Sequence, residues 1–542
     1  MIPAIIVFLY LAIVLYIGIF AFRRGRVSGE DYFLASRSLG GVVFLFSLFG
    51  TNMTAFAILG SSGLAYTRGV GVYGLLAASS SFVIPFTLLV IGTRLWGHGR
   101  RFGHMTPVQF FRDRWECSTI GTAIFVLTAA MLVPYIVIGV MGGGATLEAL
   151  SAVAGVGGVG AGGAGSWVSY EVGGAIVALV VMGYVFFGGM RGTAWVNTFQ
   201  TLLFLAFGAM AFVLLGKELG GFDEVMARLA ADPRTASLLS RERIPQAEFF
   251  SYFFIPLSSI MFPHISIMCL TARRIDAFRK TVVLYPVCIL LVWLPSVYLG
   301  VVAAGEFPGL APGESDDVLL RLLTEHTGVW LAGVLGAAIM ACVMASDSQI
   351  LALCTMFSED IFAYYGGKKR FGDAAQVWTG RLFVVVITLV AYLVAMAAKD
   401  RVGIFELAIR FAFSGYAALS PVMIAALFWR RSTKWGALAA VVWIAATVAG
   451  TWYLHEVTAA IAPRPGEPPV PIVPALGGAL LRSAGGVTVF GMLPVVPMLA
   501  GSAVLVWLVS LATRPPSRAT VDRFFPGTVP GERGRAGLKT AG

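Results

Sequence analysis

Apolar stretches long enough to cross a bilayer recur from the first residues of the chain to about residue 511, separated by short polar segments. A spanning helix needs about 20 predominantly apolar residues. Thirteen stretches meet that length, near residues 2–22, 42–64, 73–93, 119–141, 171–189, 195–215, 249–271, 281–304, 328–362, 379–397, 402–428, 435–455 and 486–511. The pattern predicts an all-α polytopic membrane protein with about thirteen transmembrane helices.

Two of these spans are interrupted. In span two the apolar run breaks at Gly50, Thr51, Asn52, Met53 and Thr54; in span seven it breaks at Phe262, Pro263 and His264. The proline removes an amide and clashes with the preceding turn. Non-helical backbone at membrane depth is tolerated only where protein buries it or where it lines a cavity, so both breaks should face a solute path. The breaks lie five spans apart, and five is odd, so the two helices run in opposite directions. An inverted repeat of spans two to six and seven to eleven, as in secondary transporters, predicts this spacing. A simple kink at Pro263 and a satisfied core histidine at His264 are the plainer alternatives.

Span nine reads IMACVMASDSQILALCTMFSEDIF and carries Asp347 near its middle. A carboxylate there costs about 2.5–3.5 kcal/mol on the most lenient insertion scale, so Asp347 should face protein, an ion or trapped water. Glu359 and Asp360 fall near the end of the span, close to Lys368 and Arg370, and read as a solvated helix end.

Composition agrees with this class: 58% of residues are hydrophobic, 12% are charged and mean hydropathy is +0.84. The net charge of +11 would suggest nucleic acid in a soluble protein. Here the charge is distributed by loop. Arg23, Arg24 and Arg26, then Arg100, Arg101, Arg112 and Arg114, then Arg273, Arg274, Arg279 and Lys280, then Lys368, Lys369 and Arg370, then Arg430, Arg431 and Lys434 all fall on one side. The positive-inside rule makes that side cytoplasmic, with the N-terminus outside and the C-terminus in the cytoplasm of a multi-pass plasma-membrane protein. Lipid is the expected partner, nucleic acid is not, and no protein partner is indicated.

The first apolar run lacks a basic leading region and a small-residue cleavage site, so it reads as a retained span. Cys117, Cys269, Cys288, Cys342 and Cys354 are odd in number and lack metal spacing, as expected of small buried hydrophobes. Gly142–Gly165 and Pro463–Pro474 read as external loops. The expected organisation is one transmembrane domain over residues 1–512, with its repeat core at about 42–428, and a disordered basic tail over residues 513–542. No nucleotide loop, metal cluster or nucleophile constellation suggests an enzyme.

The segment GYVFFGGMRGTAWVNTFQ, residues 183–200, resembles the signature of the sodium:solute symporter family, whose members include sodium/proline, sodium/pantothenate and sodium/galactose symporters. Gly188 and Gly189 would allow a turn at the membrane face, with Trp195, Asn197 and Gln200 at family spacing. RSLGG at 37–41, GLAYTRG at 63–69, FPHI at 262–265, DSQIL and SEDIF in span nine, and WRRSTKWG at 429–436 resemble family segments in the same order. The resemblance implies a leucine-transporter type of fold and sodium-coupled uptake of a small organic solute by alternating access, with no organic cofactor.

By position, the resemblance assigns sodium ligands to the carbonyls of Gly50, Met53 and Ala341 and to a hydroxyl pair in span nine. A dehydrated monovalent ion needs such oxygen dipoles. An ungapped alignment on DSQ puts Met344 and Ala345 at that pair; a one-residue deletion puts Ala345 and Ser346 there. Ser346 is the candidate hydroxyl, and Asp347 the candidate substitute ligand or proton carrier. Solute-site candidates are Asn52, Phe56, Tyr135, Phe262, His264, Phe413 and Ser414, which flank the breaks or the facing span eleven. Relatives often carry Gln at Gly139, and a close-packing role accounts for most glycines of span four. The alternatives to sodium symport are a proton-coupled carrier or facilitator of the same fold, motivated by the missing hydroxyl pair, and a transporter-like sensor.

Overall fold

A computed structural model describes residues 2–23, 28–152, 166–310, 314–399, 408–463, 467–474, 478–483 and 485–525. Among these, nine helices are long and apolar enough to cross a membrane, and two further helix pairs are bent at a break. The longest, Tyr170–Glu218, is interrupted at Gly189, where φ 51° and ψ −151° leave helical space. Spans five and six therefore meet at the predicted Gly-Gly turn. Counting that helix as two spans, each bent pair as one and the shorter Ser414–Phe428 helix as another gives the thirteen expected from the sequence.

The breaks of spans two and seven are real and fall where the polar interruptions predict. Gly41–Asn52 meets Phe56–Arg68 at 59°, and Gln246–Met261 meets Pro263–Thr271 at 51°. In span seven Pro263 opens the inner segment, where its missing amide costs nothing because the first turn of a helix has no internal acceptor for it. Phe262, at φ −59° and ψ 128°, is the residue that leaves the helix, as the residue before a proline is driven to do.

Three sequence expectations are corrected. The external loop expected from Gly142 begins only after Ala152, since helix Ser118–Ala152 continues through the glycines. A side chain at Gly142 would meet Ala55 and Val343, and one at Gly143 would meet Val177, so these glycines admit neighbouring helices rather than make a turn. The remainder, 153–165, lies outside the described residues. Glu359 and Asp360 are not solvated: they are 8% and 0% exposed, gripped by a loop helix, Pro107–Trp115. Finally, the basic tail holds a short helix, Arg518–Phe524, packed on that same face; residues 526–542 lie outside the described residues. On the opposite face, within and beyond the expected Pro463–Pro474 loop, the strands β1 (Val470–Pro471), β2 (Leu480–Ser483) and β3 (Gly486–Val489) form an antiparallel sheet.

Candidate functional site

The two breaks face one another across a narrow cavity whose water-accessible volume is about 30 Å³, room for little more than one water. Asn52, Met53 and Phe56 from the break of span two, Ser258, Ser259 and Phe262 from span seven, and Phe413 from span eleven line it, joined by Ser80, Tyr252 and Trp293. Phe56 meets Phe413 edge-on at 5.0 Å between ring centroids, and Phe413 meets Phe262 at 5.2 Å. Tyr135 of span four stacks on Phe262 at 5.2 Å and donates its hydroxyl to the Asn52 carbonyl at 3.3 Å. The Asn52 amide donates to the Tyr285 hydroxyl at 2.6 Å.

Of the seven predicted solute residues, Asn52, Phe56, Phe262 and Phe413 thus line one cavity and Tyr135 backs it. His264 stacks behind Phe262 at 5.1 Å, buried, with neither ring nitrogen bonded, and does not reach the lining. Ser414 turns away: its hydroxyl donates to the Ile409 carbonyl at 2.8 Å. Sequence reading missed Trp293 and Ser259. Both line the cavity with buried polar atoms that lack a partner, the Trp293 indole N–H and the Ser259 hydroxyl. A buried donor without an acceptor is costly, and a solute in the cavity is the natural source of one. Among the described residues, no charged side chain lines the cavity.

The predicted ion ligands separate into two groups. At the break of span two, the Gly50 carbonyl accepts from the Met53 amide at 3.0 Å, and the Cys342 thiol donates to the Met53 and Thr54 carbonyls at 3.2 Å. Ala341 is fully buried beside Cys342. Ser346 and Asp347 bond to neither the Gly50 nor the Met53 carbonyl. Ser346 instead lies against Gly139 of span four, where an added Cβ would collide with its hydroxyl.

Asp347 belongs to a second cluster. Its carboxylate, 0% exposed, accepts from the Tyr184 hydroxyl at 3.0 Å, the Asn197 amide at 3.2 Å and the Ser348 hydroxyl at 3.0 Å. Asn197 also donates to Ser348 at 2.7 Å, while its own side-chain oxygen is buried without a donor. The local cause is the short 3-10 segment Met344–Ser346 between two α-helical stretches. Three residues at about 120° each rather than 100° turn everything beyond them by roughly 60°. Asp347 therefore faces the signature helix and not the broken span. The signature is braced from outside the repeat: Gln200 donates to the Tyr10 hydroxyl of span one at 2.9 Å, and its carbonyl oxygen has no donor. Trp195, half exposed, points away from this cluster toward the protein surface.

The carboxylate has three neutral donors and, among the described residues, no paired Lys or Arg. Neutral donors soften the burial of a charge but do not cancel it. Asn197 turns its amide nitrogen toward Asp347 and Ser348, so the oxygens gathered at this point are those of the Asp347 carboxylate and the Ser348 hydroxyl.

Comparison with known proteins agrees with this architecture. The model of the sodium:solute symporter family matches residues 32–443. The high-affinity proline transporter PutP of Bacillus subtilis is 23% identical over 94% of this chain and 98% of its own length. The sodium/pantothenate symporter of Escherichia coli is 23% identical over 80% of this chain and 87% of its own. Among solved structures, the substrate-bound, outward-open state of a Na+-coupled sialic acid symporter superposes with a TM-score of 0.70 at 14% identity, covering 95% of this chain and 99% of that one. At that identity the likeness is one of fold: an inverted-repeat, leucine-transporter type of membrane protein.

Proposed function

The chain belongs to the sodium:solute symporter family, and from that membership we propose that it couples inward movement of sodium to uptake of a small organic solute by alternating access. Its curated relatives are named as transporters of proline and pantothenate. The basic face is read as cytoplasmic, which places the N-terminus outside and the C-terminus inside the cell.

The solute binds between the two breaks, where the cavity must widen from its present volume of about 30 Å³ to admit it. Its walls are aromatic, and its polar groups, Asn52, Ser259 and the Trp293 N–H, are neutral. A solute without net charge, able to accept from the indole and the serine, suits that lining. Among the described residues a multiply charged anion would meet no counter-charge, at a desolvation cost the neutral lining does not offset.

The coupling cation sits at Asp347, Asn197 and Ser348. The observation that carries this assignment is the fully buried Asp347 carboxylate, held by Tyr184, Asn197 and Ser348 without a paired cationic side chain. The broken-helix carbonyls of Gly50 and Met53, already bonded to the Met53 amide and the Cys342 thiol, play the smaller part.

The test is purified protein in proteoliposomes, screened with small zwitterionic amino-acid-like and uncharged solutes under an inward sodium gradient. Uptake of a solute that collapses when potassium replaces sodium is expected. Uptake that follows an imposed pH gradient and ignores sodium would support the proton-coupled alternative, with Asp347 as proton carrier.

A further inference from the structure

Alternating access, the reading on which this inference rests, needs one part of the repeat to rock against the other around a fixed site. The cytoplasmic side carries a device placed to control that motion. Loop helix Pro107–Trp115, between spans three and four, is fastened to the second repeat at two points. Its Thr106 cap donates to the Asp360 carboxylate at 2.9 Å, and Arg112 donates to the Asp360 carbonyl at 3.2 Å, both at the end of span nine. Arg114, fully buried, donates to the carbonyls of Ala426 and Trp429 at 3.0 Å, at the end of span eleven.

The C-terminal helix Arg518–Phe524 bridges this fastened helix to the end of span three. Phe524 is 4% exposed, with its ring 5.6 Å from His98 and 5.0 Å from Phe102 of span three and 6.0 Å from Phe110 of the loop helix. Arg523 repeats the bridge: its guanidinium lies 4.7 Å over the Phe102 ring and 3.6 Å from the Asp113 carboxylate of the loop helix. Thr520 and Ser517 reach Glu116 at the far end of the same helix. Span three belongs to the first repeat and touches the loop helix directly, with the His98 ring 5.4 Å from Phe110 and His104, just beyond the span, 2.9 Å from Asp113, while the loop helix is bonded to spans nine and eleven.

We propose that the C-terminal helix is a strap that holds the cytoplasmic side shut, with Phe524 and Arg523 spanning the seam between span three and the loop helix. Inward opening pulls these surfaces apart and must break the strap. Its attachment therefore sets the rate of opening without touching the solute or the ion. A modification or a partner that captured the C-terminal segment would act as a release.

The native thiols report opening without a known solute. Cys342 lies at the broken helix and Cys354 further along span nine, both fully buried; Cys288, on span eight, serves as an internal control. In inside-out vesicles, Phe524→Ala and Arg523→Ala should raise the rate at which a membrane-impermeant maleimide labels Cys342 or Cys354 by at least fivefold, with Cys288 labelled at the wild-type rate. Phe524→Leu, which keeps an apolar anchor, should stay within twofold of wild type. Unchanged labelling of Cys342 and Cys354 would overturn the strap, as would a parallel rise at Cys288, which signals general loosening. The measurement stands apart from sodium coupling: absence of sodium-driven uptake with accelerated labelling would count against the coupling reading alone.

Discussion

Tyr184 of span five donates its hydroxyl to one carboxylate oxygen of Asp347 in span nine across 3.0 Å, and Asn197 of span six donates its side-chain amide to the other oxygen at 3.2 Å. The two halves of the signature thus converge on one acid. The turn at Gly189 makes this possible by folding spans five and six back on each other.

The contact between residues 347 and 197 predicts that the acid can change helices. Asp347→Asn should abolish the sodium-dependent rise in thermal unfolding temperature, since a neutral amide cannot balance the ion. The double variant Asp347→Asn with Asn197→Asp should restore at least half of that rise. Loss in both the single and the double variant would place the ion elsewhere.

The cavity predicts a division between affinity and rate. Phe413→Ala removes a wall that touches Phe56 and Phe262, and Trp293→Phe removes an unbonded donor while keeping an aromatic ring. Each should raise the solute concentration for half-maximal uptake about tenfold, near 1.4 kcal/mol for a lost hydrogen bond or ring contact. The sodium-induced thermal shift should not change. Uptake kinetics with both variants unchanged would exclude the cavity as the solute site.

Gly189 sits at φ 51° with ψ −151°, and a Cβ there would press on the Tyr32 carbonyl and ring. Backbone strain of about 1–3 kcal/mol plus that collision predicts a lower yield of folded protein for Gly189→Ala and a lower unfolding temperature in detergent. Gly97, where a Cβ would meet nothing within 4 Å, is the control: Gly97→Ala should behave as wild type.

Asp360 is fully buried between Thr106 and Arg112, whose guanidinium stands 3.9 Å away. Asp360→Ala leaves the Thr106 hydroxyl without its acceptor and Arg112 without the nearby carboxylate, and should destabilise the protein by about 1–3 kcal/mol. Arg112→Ala together with Asp360→Ala should cost less than Asp360→Ala alone. Chemical denaturation in micelles measures the difference, and additive losses would rule out the pairing.

Much of this protein was legible in the chain itself. Span count, the polar interruptions at Gly50–Thr54 and Phe262–His264 and the signature at 183–200 are local in sequence, and a bilayer converts such local pattern directly into helices and breaks. Of the seven candidate solute residues, Asn52, Phe56 and Phe262, at or beside those breaks, and Phe413, on the facing span eleven, line one cavity. What the sequence could not decide was direction around a helix axis. The 3-10 turn at Met344–Ser346 swings Asp347 toward Tyr184 and Asn197 and leaves Ser346 against Gly139, so candidate ligands adjacent in sequence meet different neighbours. Trp293 entered the cavity from a span without any interruption to mark it. Glu359, Asp360 and Phe524 look like solvated or terminal residues by position, and only the packing of the loop helix over them made them buried. Pattern along the chain fixes which segments enter the membrane; which face of each meets which partner is set by contacts between segments far apart in sequence.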